Sequence, residues 1–201
     1  MTKWAIGCGA MLVIVVLVLG LAVAGGYNSL VALDQAVRAQ WGQVENVYQR
    51  RADLVPNLVE TVKGAAAFEK STFTAVTEAR SRVGQVASGG QSVPSDPAAF
   101  AKFQQAQEGL SSALSRLMMV VENYPDLKAT ANFRDLQAQL EGTENRIAVE
   151  RMRFNEAAQA FNTRRQRFPM VLLAGFLGDR FREKAYFKAQ EGAGTAPKVK
   201  L

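Results

Sequence analysis

The stretch that decides the fold is residues 127–165, which read LKATANFRDLQAQLEGTENRIAVERMRFNEAAQAFNTRR and contain no proline. Large apolar residues recur along it at intervals of seven: Phe133, Leu140, Ile147, Phe154 and Phe161. Because two turns of an α-helix take about seven residues, these side chains share one face of a helix. We therefore predict a last long helix over residues 127–165, with this apolar seam in the core of a helical bundle.

The preceding sequence repeats the helical spacing, and no stretch from residue 28 onward alternates with the period of a β-strand. Apolar stripes predict helices over residues 30–62, 68–87 and 97–124, with a loop at residues 88–97, SGGQSVPSDP. Pro56 predicts a kink or an end in the first of them. If the chain turns near Gly64, the bundle has four helices, and otherwise the first two merge into a rod and leave three. We predict an all-α fold with an antiparallel bundle of four long helices.

The N-terminal sequence carries an uncharged apolar run at residues 4–24, WAIGCGAMLVIVVLVLGLAVA. A helix needs about 20 such residues to cross the hydrocarbon core of a bilayer. The prediction is a transmembrane helix over residues 4–26, and its representative membrane-spanning residues are Trp4, Ile14, Val15, Leu19 and Val23. A cleaved signal peptide is the alternative, since Ala22-Val23-Ala24 has the form of a cleavage site.

The predicted organisation divides the chain into five parts. These are a short flank (1–3), the transmembrane helix (4–26), the helical bundle (27–165), an apolar and basic segment (166–190) and a flexible tail (191–201). Lys3 precedes the span, and Asp34 is the first charged residue after it. The positive-inside rule then places the N-terminus in the cytoplasm and the bundle outside. We expect a single-pass protein of the bacterial inner membrane with its bulk on the periplasmic side.

Composition argues against catalysis. The 201 residues include no histidine and a single cysteine, so the commonest general base and metal ligand is missing and no disulfide framework can form. Glu141, Glu144 and Glu150 could offer carboxylates, but carboxylate-bridged di-iron bundles also need histidines. We therefore expect no enzyme activity, no cofactor and no metal site.

The most distinctive polar residues lie around Pro56 and on the last helix. Asp53 and Asn57 are four residues apart, and Asn155 and Asn162 are seven apart, so each pair shares a helix face. We predict an interhelical polar network of Arg51, Asp53, Asn57, Asn155 and Asn162 that fixes helix register. The alternative is a ligand or partner site at the proline kink.

The charge of +6 lies entirely in the last 38 residues, where nine basic residues face three acidic ones. An apolar stretch at residues 168–177 lies between two groups of arginines and is too short to cross a bilayer. It is a candidate for contact with anionic lipid head groups or with a protein partner. The residues of this candidate contact are Arg164, Arg165, Arg167, Phe168, Phe176, Arg180 and Arg182. The alternative is a cap that buries Phe176, Phe181 and Phe187 on the bundle.

Several motifs resemble the LemA family. The stretch at residues 27–62, YNSLVALDQAVRAQWGQVENVYQRRADLVPNLVETV, is similar to the family's N-terminal signature, and YPDLKA at 124–129 and EGTENRI at 141–147 agree with it. The likeness extends over residues 1–190 and departs from the family pattern at Phe154, Phe161 and the apolar run 170–175. It implies an N-terminal anchor, a long-helix bundle, a bacterial-envelope location and no established enzymatic activity.

Two functions follow as expectations. The first is a membrane-anchored scaffold that forms homo-oligomers and organises membrane or protein partners, with anionic lipids among its contacts. The second is a monomeric adaptor that presents its bundle to an envelope protein such as a protease or a sensor, whose identity the sequence does not give. A nucleic-acid partner is not expected, because no nucleic-acid-binding motif accompanies the basic segment.

Overall fold

The computed structural model describes residues 2–63, 70–87, 93 and 96–188 of the chain. Within these residues every regular element is helical, which confirms the predicted all-α class. The long helices are α1 (Thr2–Lys63), α2 (Lys70–Ala87), α3 (Pro97–Val121) and α5 (Ala131–Gln166). Two short helices, α4 (Pro125–Lys128) and α6 (Met170–Leu173), and a 3₁₀ turn at Asp179–Phe181 complete the set. The predicted turn at Gly64 and the tail 191–201 lie outside the described residues.

Helix α1 is one uninterrupted helix of 62 residues. At 1.5 Å per residue it is about 93 Å long, so it can contain both a membrane span and a bundle helix. The predicted boundary between residues 26 and 27 is therefore not a structural break. Pro56 lies inside the helix and does not end it. Since proline removes only one backbone hydrogen bond, the packing of buried neighbours on both sides, Val55 and Leu58, keeps the helix continuous.

The N-terminal part of α1 is long and apolar enough to cross a membrane, and it alone meets that test among the described helices. Ile14, Val15 and Leu19 are exposed on it, and Val23 is half-buried against the bundle core. Trp4 lies on the same helix, and its side chain is outside the described part of the structure. A helix that is apolar on all sides and exposed is typical of a segment that lies in lipid.

Helices α1 and α5 run in opposite directions along each other. Gln40 donates to Glu150, and farther along α1 Arg51 pairs with Glu144, so rising numbers on α1 meet falling numbers on α5. All five residues of the predicted seam on α5 are buried. The predicted helix 127–165 is, however, interrupted after α4, because Thr130 caps α5 by accepting a hydrogen bond from the Phe133 amide.

The core has two parts. The membrane-distal part joins α1, α2, α3, α4 and α5 through residues such as Leu58, Val76, Leu117 and Phe133. The membrane-proximal part centres on Trp41, whose ring contacts Phe103, Phe154 and Phe187 at centroid distances of 5.0, 5.5 and 6.2 Å. Phe187 follows α6, so the C-terminal segment folds back and completes this part of the core.

Candidate membrane-proximal site

A cluster of four charged side chains joins α1 to the C-terminal segment. The Asp34 side chain is completely buried and its Oδ2 accepts hydrogen bonds from Arg38 Nε at 3.0 Å and Arg180 Nε at 2.9 Å. Lys184 Nζ lies 2.9 Å from the other carboxylate oxygen, Oδ1. Asp34 follows Gly26 by eight residues, or about 12 Å of helix, so the cluster lies close to the end of the apolar span.

Three cations keep the buried carboxylate ionised. Burial acts to raise the pKa of Asp34, but hydrogen bonds and charge from Lys184, together with bonds from Arg180 and Arg38, hold that pKa below its ordinary value. A buried carboxylate without such partners would instead take up a proton. Two of the three cations, Arg180 and Lys184, belong to the C-terminal segment. They can reach Asp34 only when that segment is folded back onto the bundle, so the cluster stabilises the folded-back position.

Two asparagines of α5 bind the extended chain that follows the 3₁₀ turn. Asn162 donates from Nδ2 to the Lys184 carbonyl at 2.9 Å and accepts from the Lys184 amide at 2.8 Å. Asn155 repeats the arrangement with Phe187, at 3.0 and 2.8 Å. Because the asparagines are two helical turns apart, they match the three-residue step of the extended chain and satisfy its buried backbone groups.

The predicted polar network is therefore wrong as a single cluster. Asp53 and Asn57 are exposed, and Asp53 accepts a hydrogen bond from Gln49 on its own helix. Asn155 and Asn162 bind the C-terminal chain and do not contact Arg51. The helix face shared by Asp53 and Asn57 points away from the core, which spacing within one helix could not reveal.

Arg51 is the centre of a separate buried network. Its NH1 group donates to Ser111 Oγ and Glu144 Oε1, both at 2.6 Å. Its NH2 group donates to the side chain of Gln107 at 2.6 Å and to the carbonyl of the same residue at 3.0 Å. The guanidinium also lies 5.1 Å from the ring centroid of Tyr48. Arg51 thus joins α1, α3 and α5. No pattern in the sequence indicates that Gln107 and Ser111 are its partners.

The short helix α6 lies against the end of the apolar span. Met170 packs on Gly26, and a Cβ atom at that glycine would lie 2.8 Å from Met170 Cε. Next to it the rings of Tyr27 and Phe181 meet edge to face at 5.7 Å. Glycine at position 26 thus allows α6 to approach the backbone of α1, and the approach fixes where the C-terminal segment begins its return.

The predicted cap describes only part of this segment. Phe181 and Phe187 are buried, as a cap requires, whereas Phe176 is 89% exposed and Phe168 is 70% exposed. Val171 and Leu172 are exposed beside them. The segment therefore has one apolar face on the bundle and a second apolar face that no described residue covers.

The predicted contact arginines divide into two groups. Arg180 is paired with Asp34, which it shares with Arg38 and Lys184, and Arg182 lies 2.8 Å from Asp179, so each of these two arginines has an acidic partner. Arg165 donates from Nε to the Phe181 carbonyl, Arg164 is half-buried and Arg167 is exposed. Among the described residues none of these last three forms an ion pair, so their positive charge is uncompensated beside the exposed apolar face.

The described residues contain no group of three or more metal-binding side chains. A groove of about 700 Å³ between α2 and α3 is open to solvent and lined by small and charged residues, including Ala79, Arg82, Lys102 and Gly109. With no histidine in the chain, neither the groove nor the Asp34 cluster offers the usual base for nucleophilic catalysis.

Comparison with known proteins agrees with these features. The family model described as "LemA family" matches residues 40–201. The chain belongs to the LemA family. This LemA-family chain is 29% identical over 186 residues to Magnetosome protein MamQ 2 and to MamQ 1 of Paramagnetospirillum magneticum, and 28% identical to Magnetosome protein MamQ of Magnetospirillum gryphiswaldense. Each match covers 85% of this chain and 67% of the relative. The apolar N-terminal helix of the chain is compatible with a membrane location.

Replacing Arg51 by lysine should lower the free energy of unfolding by about 2–3 kcal/mol, because an ammonium group cannot reach Gln107, Ser111 and Glu144 together. The adjacent exposed residue provides the control, and Arg50→Lys should change stability by less than about 0.5 kcal/mol. Urea denaturation of the full chain in detergent micelles measures both. Equal stability of the two variants would contradict the structural role of Arg51.

Replacing Asp34 by asparagine should release the C-terminal segment, because three cations lose their shared partner. The free energy that holds the segment on the bundle should fall by about 3 kcal/mol. Hydrogen exchange at the amides of Lys184 and Phe187 should then become roughly a hundredfold faster. Asp53→Asn, on an exposed carboxylate of the same helix, should leave both exchange rates unchanged. Unchanged exchange in Asp34→Asn would show that the ion cluster does not hold the segment.

The same cluster predicts a pH dependence. Since the pKa of Asp34 is lowered in the folded protein, its contribution is fully present above its unfolded value of about 3.8 and is lost as the pH falls through the folded pKa. We compare how strongly the Lys184 and Phe187 amides are protected from hydrogen exchange in the natural protein and in Asp34→Asn. The difference between the two proteins should be constant from pH 7 to about pH 5 and shrink below about pH 4. Hydrogen exchange corrected for intrinsic rates measures it. A difference that disappears near neutral pH would contradict the assignment.

Proposed function

We propose that this LemA-family protein is a non-enzymatic, membrane-anchored helical scaffold of the bacterial envelope that forms oligomers and organises membrane or protein partners. The observation that carries the proposal is the continuity of α1 from the apolar span into the core. A flexible linker would let the soluble part move independently of the bilayer. A continuous helix instead transmits the position and orientation of the anchor to the whole bundle.

The architecture proposed for this scaffold is an antiparallel bundle of four long helices standing on one span. The opposite directions of α1 and α5 support it, and so does the shared membrane-distal core of α1, α2, α3 and α5. The N-terminus would lie in the cytoplasm and the bundle on the periplasmic side of the inner membrane, as the charge of Lys3 favours.

A role without catalysis is supported by the use of the buried polar groups. Arg51, Asp34 and Asn162 all have bonding partners in other parts of the fold, which accounts for their burial in structural terms. Polar residues that act on a substrate would instead converge on a concave surface.

Homo-oligomerisation is supported by apolar residues exposed on the bundle. Val149 and Met152 are three residues apart on α5, and 41% and 54% of their surfaces are exposed. Neighbouring exposed apolar residues on one helix face offer a candidate contact surface. The same pair also favours the second candidate function, a monomeric adaptor that binds one specific envelope protein.

Photo-crosslinking in native membranes separates the two candidates. With a photoreactive residue at Met152 of the full chain, the scaffold predicts a ladder of homo-oligomers, since every copy presents the same surface. The same residue at buried Phe154, two positions along α5, should give no intermolecular adduct. One discrete heterologous adduct at Met152 would support the adaptor, and an uncrosslinked monomer would contradict both candidates.

A further inference from the structure

The C-terminal segment keeps an apolar face uncovered after it has folded onto the bundle. Met170 and Ala174, four residues apart, point into the core, while Phe168, Leu172 and Phe176 project outward. These three large side chains lie within nine residues of sequence. Exposed apolar groups concentrated in this way mark a surface that contacts another apolar phase.

The position of this face relative to the span is fixed by contacts. Met170 packs on Gly26, and Val23 of the span is partly covered by the same core cluster. The apolar sequence of α1 ends at these residues, before Tyr27, Asn28 and the first charge at Asp34. The exposed face therefore lies at the height where the span leaves the hydrocarbon core.

Positive charge borders the same face. Arg164, Arg165 and Arg167 immediately precede it, without an ion-pair partner in the described part of the chain. Over residues 164–188 seven basic side chains face two acidic ones. Head groups of anionic phospholipids lie at the depth that the span assigns to these arginines, and such lipids attract basic residues next to a membrane.

We propose that residues 164–177 form an interfacial foot that inserts Phe168, Leu172 and Phe176 into the bilayer beside the span and binds anionic phospholipid head groups through the preceding arginines. The inference rests on the proposed membrane span of α1. The bilayer is favoured over a second copy of the chain because the face adjoins the span itself, where lipid is the neighbouring phase. Phenylalanine and leucine are typical of the apolar face of segments that lie in the membrane interface.

Spin labels on the full chain in lipid vesicles test the foot. Single cysteines at positions 172 and 176, in a Cys8→Ser background, report membrane depth through the ratio of collisions with oxygen and with a water-soluble nickel complex. Position 15 in the span and exposed position 135 near the start of α5 are references for hydrocarbon and water. We expect interfacial depth at 172 and 176 in vesicles containing phosphatidylglycerol, with a smaller inserted fraction in pure phosphatidylcholine or at high salt.

Charge variants test the lipid preference separately. Arg167→Gln should reduce the ratio of inserted to aqueous label at position 176 about fivefold in phosphatidylglycerol vesicles, the effect of one basic residue at an anionic surface. Arg134→Gln, at the opposite end of α5, should have no effect. Equal insertion in the two variants would overturn the head-group assignment.

The references also distinguish failure of the foot from failure of the anchor. If the labels at positions 172 and 176 are in water while the label at position 15 is in hydrocarbon, the foot is wrong and the span is supported. Label 15 in water would overturn the proposed anchor and the foot with it. The labels at positions 172 and 176 could also be shielded from the nickel complex by a second copy of the chain. That shielding would disappear when the protein is diluted in lipid, and this result would also overturn the proposal.

Discussion

The buried carboxylate of Asp34 is the interaction on which the membrane-proximal half of the molecule depends. A completely buried charge is costly unless cations and hydrogen-bond donors surround it. Only Arg38 comes from the same helix, and Arg180 and Lys184 come from a segment about 150 residues later. Ionisation of Asp34 and docking of the C-terminal segment are therefore one coupled event.

The docked segment also supplies apolar surface where the helices provide too little. Helix α3 begins at Pro97, and its first buried ring, Phe100, meets Trp41 well above the end of the span. Closer to the span, α3 does not extend far enough to cover the apolar side chains of Leu30 and Val37 on α1 and Phe161 on α5. Phe181 and Met170 cover them, and Phe187 packs against Trp41 from the same segment. The chain therefore uses its C-terminal residues as a substitute for a third and fourth helix near the membrane.

The two faces of the C-terminal segment therefore have different roles. The face with Met170 and Phe181 closes the core, and Asn155 and Asn162 hold the backbone that follows. The opposite face, with Phe176, remains available beside the span. A LemA-family scaffold built in this way would meet the bilayer at two points, the continuous helix and the foot, and both would be rigidly joined to the same core.

Periodicity predicted the helices well, because burial of an apolar face repeats with the helical turn. The seam from Phe133 to Phe161 and the apolar span required only local pattern. The partners of buried polar residues could not be read in this way, since Arg51 meets Gln107 and Ser111 from a helix 56 or more residues away. The interruption at Thr130 depends on one capping hydrogen bond, and the exposure of Phe176 depends on where Met170 docks. Both are tertiary details that spacing does not encode.

The most direct test of this account is the distance between the C-terminal segment and α1 in a membrane. Spin labels at the exposed residues Gln35 and Glu183 of the full chain, with Cys8 replaced by serine, can be measured by pulsed dipolar spectroscopy in lipid vesicles. The account predicts one short, narrow distance distribution, because Asp34 and Lys184 beside the labels are in direct contact. A broad distribution extending to long distances would show that the segment is detached, and would contradict the coupled closure of the core on which the account depends.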